Sequence, residues 1–152
     1  MEITQIDQHI DAFIETCRLH NLKITPQRVA IYRELIRSKA HPTADLMYRT
    51  IRREFPNISF DTVNRTLLTF AGIGVVDVVE VFGGPKRFDS DVGEHHHLIC
   101  TGCGKIIDFE YDGYADLDLP ASVAESFTVT GRRVVFKGLC DACRRRSQDP
   151  AQ

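Results

Sequence analysis

The chain has 152 residues, 43% hydrophobic and 26% charged, with a formal net charge of −2. These values fit one ordinary globular domain or two small ones. They exclude a bundle of membrane-spanning helices, because no apolar run approaches the roughly 18–20 residues that a bilayer requires. The opening stretch MEITQIDQHID is mixed and acidic, unlike the basic-then-apolar pattern of a secretory leader, so a cytoplasmic location is expected. The near-neutral total hides an asymmetry. Arg18 to Arg65 holds ten Lys/Arg against four Asp/Glu, whereas Asp89 to the end holds seven against eleven. A basic segment joined to an acidic one suggests a polyanion-binding half and a second half with another task.

In chain order, residues 3–20 carry Ile3, Ile6, Ile10, Phe13 and Ile14 at helical spacing. Cys17 lies within this pattern and reads as a small buried hydrophobe. Thr25-Pro26 is an N-cap followed by proline at the first helical position. The helix it opens has Val29, Ile31, Tyr32, Leu35 and Ile36 as its apolar set. His41-Pro42 stops that helix, and Thr43 caps a third one running to about Phe55. Ser59 caps a fourth helix, Phe60 to Ala71, with Val63, Leu67 and Phe70 as its buried stripe. Its outward set is then Asp61, Thr62, Asn64, Arg65, Thr66 and Thr69. The β-branched run Val75–Phe82, the turn Gly83-Gly84-Pro85 and the return Lys86–Asp89 read as a hairpin.

Short helices followed by a hairpin make a winged helix, with the fourth helix in the recognition position. The candidate DNA contacts are Ser59, Thr62, Asn64 and Arg65, with Arg28 from the second helix and Lys86 from the wing.

Beyond an acidic hinge, strands are expected near His95–Thr101 and Lys105–Tyr111, a helix near Leu117–Ser126, strands at 127–129 and 133–137, and a frayed tail from Arg144. The overall expectation is an α+β chain. A winged-helix DNA-binding domain spans 1–88, a hinge 89–94 and a small α/β dimerisation and metal-binding domain 95–146, with a flexible tail at 147–152. Two C-x-x-C pairs, Cys100/Cys103 and Cys140/Cys143, offer four thiolates, which is the closed tetrahedral shell of a structural zinc. His95-His96-His97 precedes the first pair. On a strand His95 and His97 share a face and His96 takes the other, so the outer two make a pair of metal ligands. His41, Asp89 and Asp108 offer further nitrogen and oxygen donors that spacing alone does not assign. Such a sulfur-free set suits Fe(II), Mn(II) or Zn(II).

The segments ITPQR (24–28), AHPTAD (40–45), SFDTVNRTL (59–67), RFD (87–89), HHHLICTGCGKIIDF (95–109) and the second C-x-x-C (140–143) together resemble the Fur family of metal-responsive bacterial repressors. The resemblance covers about residues 15–146. It implies a winged helix, a C-terminal dimerisation domain, a structural four-cysteine zinc and a regulatory metal that favours the DNA-binding form of a homodimer on a roughly palindromic operator. The pattern is most similar to the peroxide-sensing branch. That likeness implies an Fe(II) or Mn(II) site at His41, Asp89, His95, His97 and Asp108, with His41 or His95 oxidised by peroxide on iron. The iron-uptake branch usually has Glu at the positions of Asp89 and Asp108, and an iron, zinc or manganese uptake regulator is the alternative within the family. Asn64 stands where the family usually has Tyr, and Arg132 where many relatives have a His of an additional metal site, so no third site is expected. A metal-dependent hydrolase is the reading of a different class. It lacks a HExxH helix or a two-metal carboxylate cluster, so no enzyme is expected.

Overall fold

A computed structural model of the chain describes residues 3–81 and 83–148. It divides into two compact units, Met1–Val92 and Gly93–Gln152.

The N-terminal unit contains α1 (Ile3–Leu19), α2 (Pro26–Arg37), α3 (Ala44–Ile51) and α4 (Phe60–Gly72), then β1 (Asp77–Val79) and β2 (Arg87–Asp89). The helix starts follow their caps. The hydroxyls of Thr25, Thr43 and Ser59 accept the backbone N–H groups of Arg28, Leu46 and Thr62, satisfying donors that a helix start leaves open. α1 ends where Asn21 turns into the left-handed region at φ 54°, and the Leu22 N–H returns to the Cys17 carbonyl at 2.8 Å. The core is aromatic at its centre: Phe13 of α1 stacks on Tyr32 of α2 at 4.2 Å and meets the edge of Phe70 of α4 at 5.0 Å. Cys17, Ile31, Leu35, Met47, Val63, Leu67 and Phe88 fill the space around them. Thr66, expected on the outward face of α4, is instead buried, because it shares the helical stripe of Val63 and Phe70.

β1 and β2 pair antiparallel, with Val78 opposite Phe88. The expected strand through Phe82 is shorter, ending at Val79. Pro85 lacks an N–H, and Gly83 at φ +72° opens the turn, so the ladder cannot continue toward the tip. Phe82 lies outside the described residues. The segment after α2 runs beside β2: Thr43 bridges to Arg87, and the Phe88 N–H bonds the Pro42 carbonyl at 3.0 Å.

The C-terminal unit is built on a three-stranded sheet ordered β4-β3-β5, from β3 (His96–Cys100), β4 (Ile106–Phe109) and β5 (Val135–Gly138). β4 is antiparallel and β5 parallel to β3. The expected helix over 117–126 contracts to the single turn α5 (Ala121–Ala124), since Pro120 interrupts its first half. The expected strand at 127–129 does not form: Phe127 is 67% exposed, and no described strand lies alongside it. The tail expected to fray from Arg144 is helical through Gln148 in α6 (Asp141–Gln148), so Ser147 and Gln148 extend a helix that Cys140 and Cys143 anchor at its start. The last four tail residues, 149–152, lie outside the described residues.

Candidate metal centres and nucleic-acid interface

The four cysteines come from two tight turns that β3 and β5 bring together at one end of the sheet. The first turn follows β3, where the Gly104 N–H bonds the Cys100 carbonyl at 2.8 Å and Gly104 adopts φ +72°. The second follows β5 and opens α6. The Thr101 N–H bonds the Gly138 carbonyl at 2.8 Å and so ties one turn to the other. The four sulfurs all lie within 4.8 Å of one another, with Cys103 and Cys140 at 3.8 Å. Sulfurs about 2.3 Å from a tetrahedral centre stand about 3.8 Å apart, so the cluster has the dimensions of a four-thiolate zinc shell. The Cys140 N–H donates to Cys100 Sγ at 3.3 Å. That bond, joined by N–H groups of the first turn, lowers the Cys100 thiol to about 6. At Cys143 the Arg146 guanidinium donates to the sulfur and favours thiolate, but burial and the three neighbouring sulfurs prevail and push the thiol up to about 11. Four thiols this close cannot all ionise without a cation among them.

The nitrogen and oxygen donors form two groups, one in each unit. In the N-terminal unit, His41 Nε2 stands 3.1 Å from Asp89 Oδ2, and both residues are buried. His41 sits at φ 47°, a left-handed conformation rare for a residue with a Cβ. It is held there by the neighbouring Pro42, whose carbonyl accepts the Phe88 N–H of β2, and by the Arg87 guanidinium, which donates to the His41 carbonyl at 3.3 Å. The other Asp89 oxygen accepts the Asp91 N–H at 2.9 Å.

In the C-terminal unit, the pleat places His95 and His97 together, and their Nε2 atoms are 2.9 Å apart. His97 is opposite Asp108 in the β3–β4 register, with Nε2 to Oδ1 at 3.4 Å. His95 Nδ1 lies 2.9 Å from the Gly93 carbonyl, which can only accept, so Nδ1 donates there and Nε2 is the nitrogen turned toward His97. Two ring nitrogens this close need a proton on one or a shared cation. Nitrogens about 2.1 Å from one ion at a right angle lie about 3.0 Å apart, so the spacing suits a metal. His96 differs: its Nδ1 accepts the Val134 N–H at 3.2 Å, and its ring packs on Tyr114 and Phe109 with centroids at 5.0 and 5.4 Å. It belongs to the opposite face of the sheet and serves packing.

On α4, the Ser59 and Thr62 hydroxyls bond each other at 2.8 Å, Asn64 is half-buried, and Arg65 is exposed. Lys86 is exposed beside the hairpin turn. Arg28 is half-buried, and its guanidinium donates to the Lys23 carbonyl, which gives it a local structural partner.

A sequence profile of the ferric uptake regulator family matches residues 20–136. The chain belongs to the ferric uptake regulator family. Members are dimeric, DNA-binding transcription regulators. The peroxide-responsive repressor PerR of Staphylococcus aureus strain Mu50 is 38% identical over 143 residues, covering 94% of this chain and 97% of that one. Among solved structures, Helicobacter pylori Fur matches the fold with a TM-score of 0.76 at 22% identity, over 91% of this chain and 93% of that one. PerR from Streptococcus pyogenes matches at 30% identity and a TM-score of 0.52, over 88% and 92%.

Within this family frame, three details on α4 and α3 were not read from the sequence. Asp61 grips Arg65. Phe60 is 45% exposed and leans edge-on against Tyr48 at 6.0 Å. Arg52 lies over the Tyr48 ring at 5.4 Å. The first was accessible as an acid four residues before an Arg on one helix face. The others depend on how α3 and α4 cross. Arg132, at the position where an additional ligand was expected to be missing, reaches the Tyr114 carbonyl at 3.5 Å.

Proposed function

We propose that this chain is a homodimeric, metal-dependent repressor that binds double-stranded DNA and responds to hydrogen peroxide, and that it is not an enzyme. Cys100, Cys103, Cys140 and Cys143 hold one structural zinc per subunit. His41, Asp89, His95, His97 and Asp108 hold one regulatory Fe(II) or Mn(II). The observation that carries the reading is the donor chemistry: three imidazoles and two carboxylates, no sulfur, beside a separate all-sulfur cluster. The aspartates at 89 and 108 and the likeness to the peroxide-responsive repressor of S. aureus favour peroxide over metal supply as the signal.

The ligands fall in both units, so an ion that takes all five binds one arrangement of the units better than the others. It shifts the population toward that arrangement by its differential affinity. Ser59, Thr62, Asn64 and Arg65 read base edges, and Lys86 and Arg28 contact the backbone. Twofold symmetry of the homodimer requires a roughly palindromic operator. Support for the dimer comes from the C-terminal sheet, where the cross-strand neighbours Leu98, Ile107 and Phe136 are 41%, 40% and 45% exposed on one face. Bound iron(II) would supply the electron that cleaves peroxide, and the imidazole of His41 or His95 would take up the oxygen.

The test is DNA binding by zinc-loaded protein with and without added Mn(II), using a duplex that the Mn(II) form selects from a randomised pool. Mn(II) should raise affinity at least about tenfold, within the usual range of allosteric coupling. His41→Ala should remain a folded dimer and lose that gain. Equal binding with and without metal, or an unchanged gain in His41→Ala, would refute the bridging site.

A further inference from the structure

The first turn of α4 carries an acid where a helix that approaches phosphates should avoid one. Asp61 lies on the same stripe as Arg65, and its Oδ2 holds Arg65 Nη2 at 2.6 Å. The two side chains are 70% and 76% exposed, so the pair packs into nothing and adds little to stability. The nearby hydroxyls of Ser59 and Thr62 are turned toward each other. The ion pair is therefore the main charged feature of the α4 surface that meets DNA.

We propose that Asp61 is a positioning residue for DNA reading: it holds the Arg65 guanidinium ready for guanine and weakens the hold of α4 on any other sequence. The inference rests on the DNA-binding reading above. A guanidinium has five N–H donors in a rigid plane. A carboxylate on one terminal nitrogen leaves donors of another edge free for guanine O6 and N7, the commonest specific contact in the major groove. Held in this way, Arg65 loses less rotamer freedom when it meets guanine. The same carboxylate repels backbone phosphates and competes with them for Arg65. Non-cognate DNA meets that repulsion without the compensating base contact.

The experiment uses the full-length, metal-loaded dimer and two duplexes of equal length, one selected by the wild-type protein from a randomised pool and one left random. Affinities are measured between 50 and 200 mM salt for wild type, Asp61→Asn, Arg65→Ala and the double variant. Asp61→Asn should bind the random duplex about tenfold more tightly, steepen the salt dependence and leave affinity for the selected duplex level or lower. The ratio of the two affinities then falls about tenfold or more, and a new selection with Asp61→Asn relaxes at the guanine that Arg65→Ala also relaxes. In the Arg65→Ala background, Asp61→Asn should change the base preference no further. A ratio equal to that of wild type, with only the melting temperature altered, would reduce the pair to helix support and overturn the inference. If the wild-type protein selects no sequence at all, the DNA-binding reading fails first and takes the inference with it.

Discussion

Replacing Cys100 with Ser should unfold the C-terminal unit while the N-terminal one survives. Among the described residues beyond Val92 the buried apolar side chains, apart from the cysteines, are Ile99 and Ile106, while Leu98, Val123, Phe127, Val135, Phe136 and Leu139 are exposed. Full burial of one such aliphatic side chain contributes about 1.5–3 kcal/mol, so two contribute roughly 3–6 kcal/mol. A four-thiolate zinc contributes about 10–16 kcal/mol of binding energy that is also folding energy. Within a single C-terminal unit, zinc therefore stabilises the fold more than apolar burial does. The N-terminal unit has its own core around Phe13, Tyr32 and Phe70 and needs no metal to hold it. The assay is limited proteolysis with mass analysis, together with zinc content and size-exclusion chromatography. Cys100→Ser should contain less than one zinc per chain, lose the dimer and be cut readily beyond residue 93 into a stable fragment of about the first 92 residues. A zinc-free Cys100→Ser protein that remains a protease-resistant dimer would refute the reasoning.

Three further outcomes follow from the same geometry. His96→Phe should keep the Mn(II)-dependent gain in DNA affinity, because His96 packs on the opposite face from the donors; His97→Ala should abolish it, and parallel binding curves on the two variants decide the matter. Gly102→Ala should weaken zinc retention against a chelator by about tenfold or more, since the added Cβ would lie 3.0 Å from both Cβ and Sγ of Cys143 and 3.2 Å from Leu139; chelator competition measures it. Zinc held by the folded protein should be released toward acid pH. The Cys100 thiolate, with its value near 6, below the ordinary 9.0, is favoured above that point and lost as pH falls through it, so a chelator should strip zinc faster below about pH 6 than at pH 7. Equal stripping at the two pH values would contradict this.

Features set by local chemistry were legible in the sequence. Thr25, Thr43 and Ser59 cap the helices they were expected to cap, and the pleat of β3 separates His96 from His95 and His97 as period-two alternation demands. The two C-x-x-C pairs announced a cluster whose size fits four sulfurs about one ion. What was less legible depends on long-range packing. His41 and Asp89 are 48 residues apart and meet only because the segment after α2 runs beside β2. Asp108 reaches His97 through a strand register that spacing does not specify. The stretch at 117–129 reads as a longer helix and a strand from its apolar residues, yet Leu117, Leu119, Val123, Phe127 and Val129 are exposed. Hydrophobic pattern marks what will be buried, but not whether the covering surface comes from the same chain.

The most direct test of the central claim is peptide mass spectrometry on protein loaded with Fe(II), before and after brief hydrogen peroxide, with a Mn(II)-loaded control. One added oxygen on the peptide holding His41 or the one holding His95, only with iron and accompanied by release of DNA, is the predicted result. Unmodified histidines and undiminished DNA binding after the same exposure would contradict it and leave a regulator that responds to metal supply.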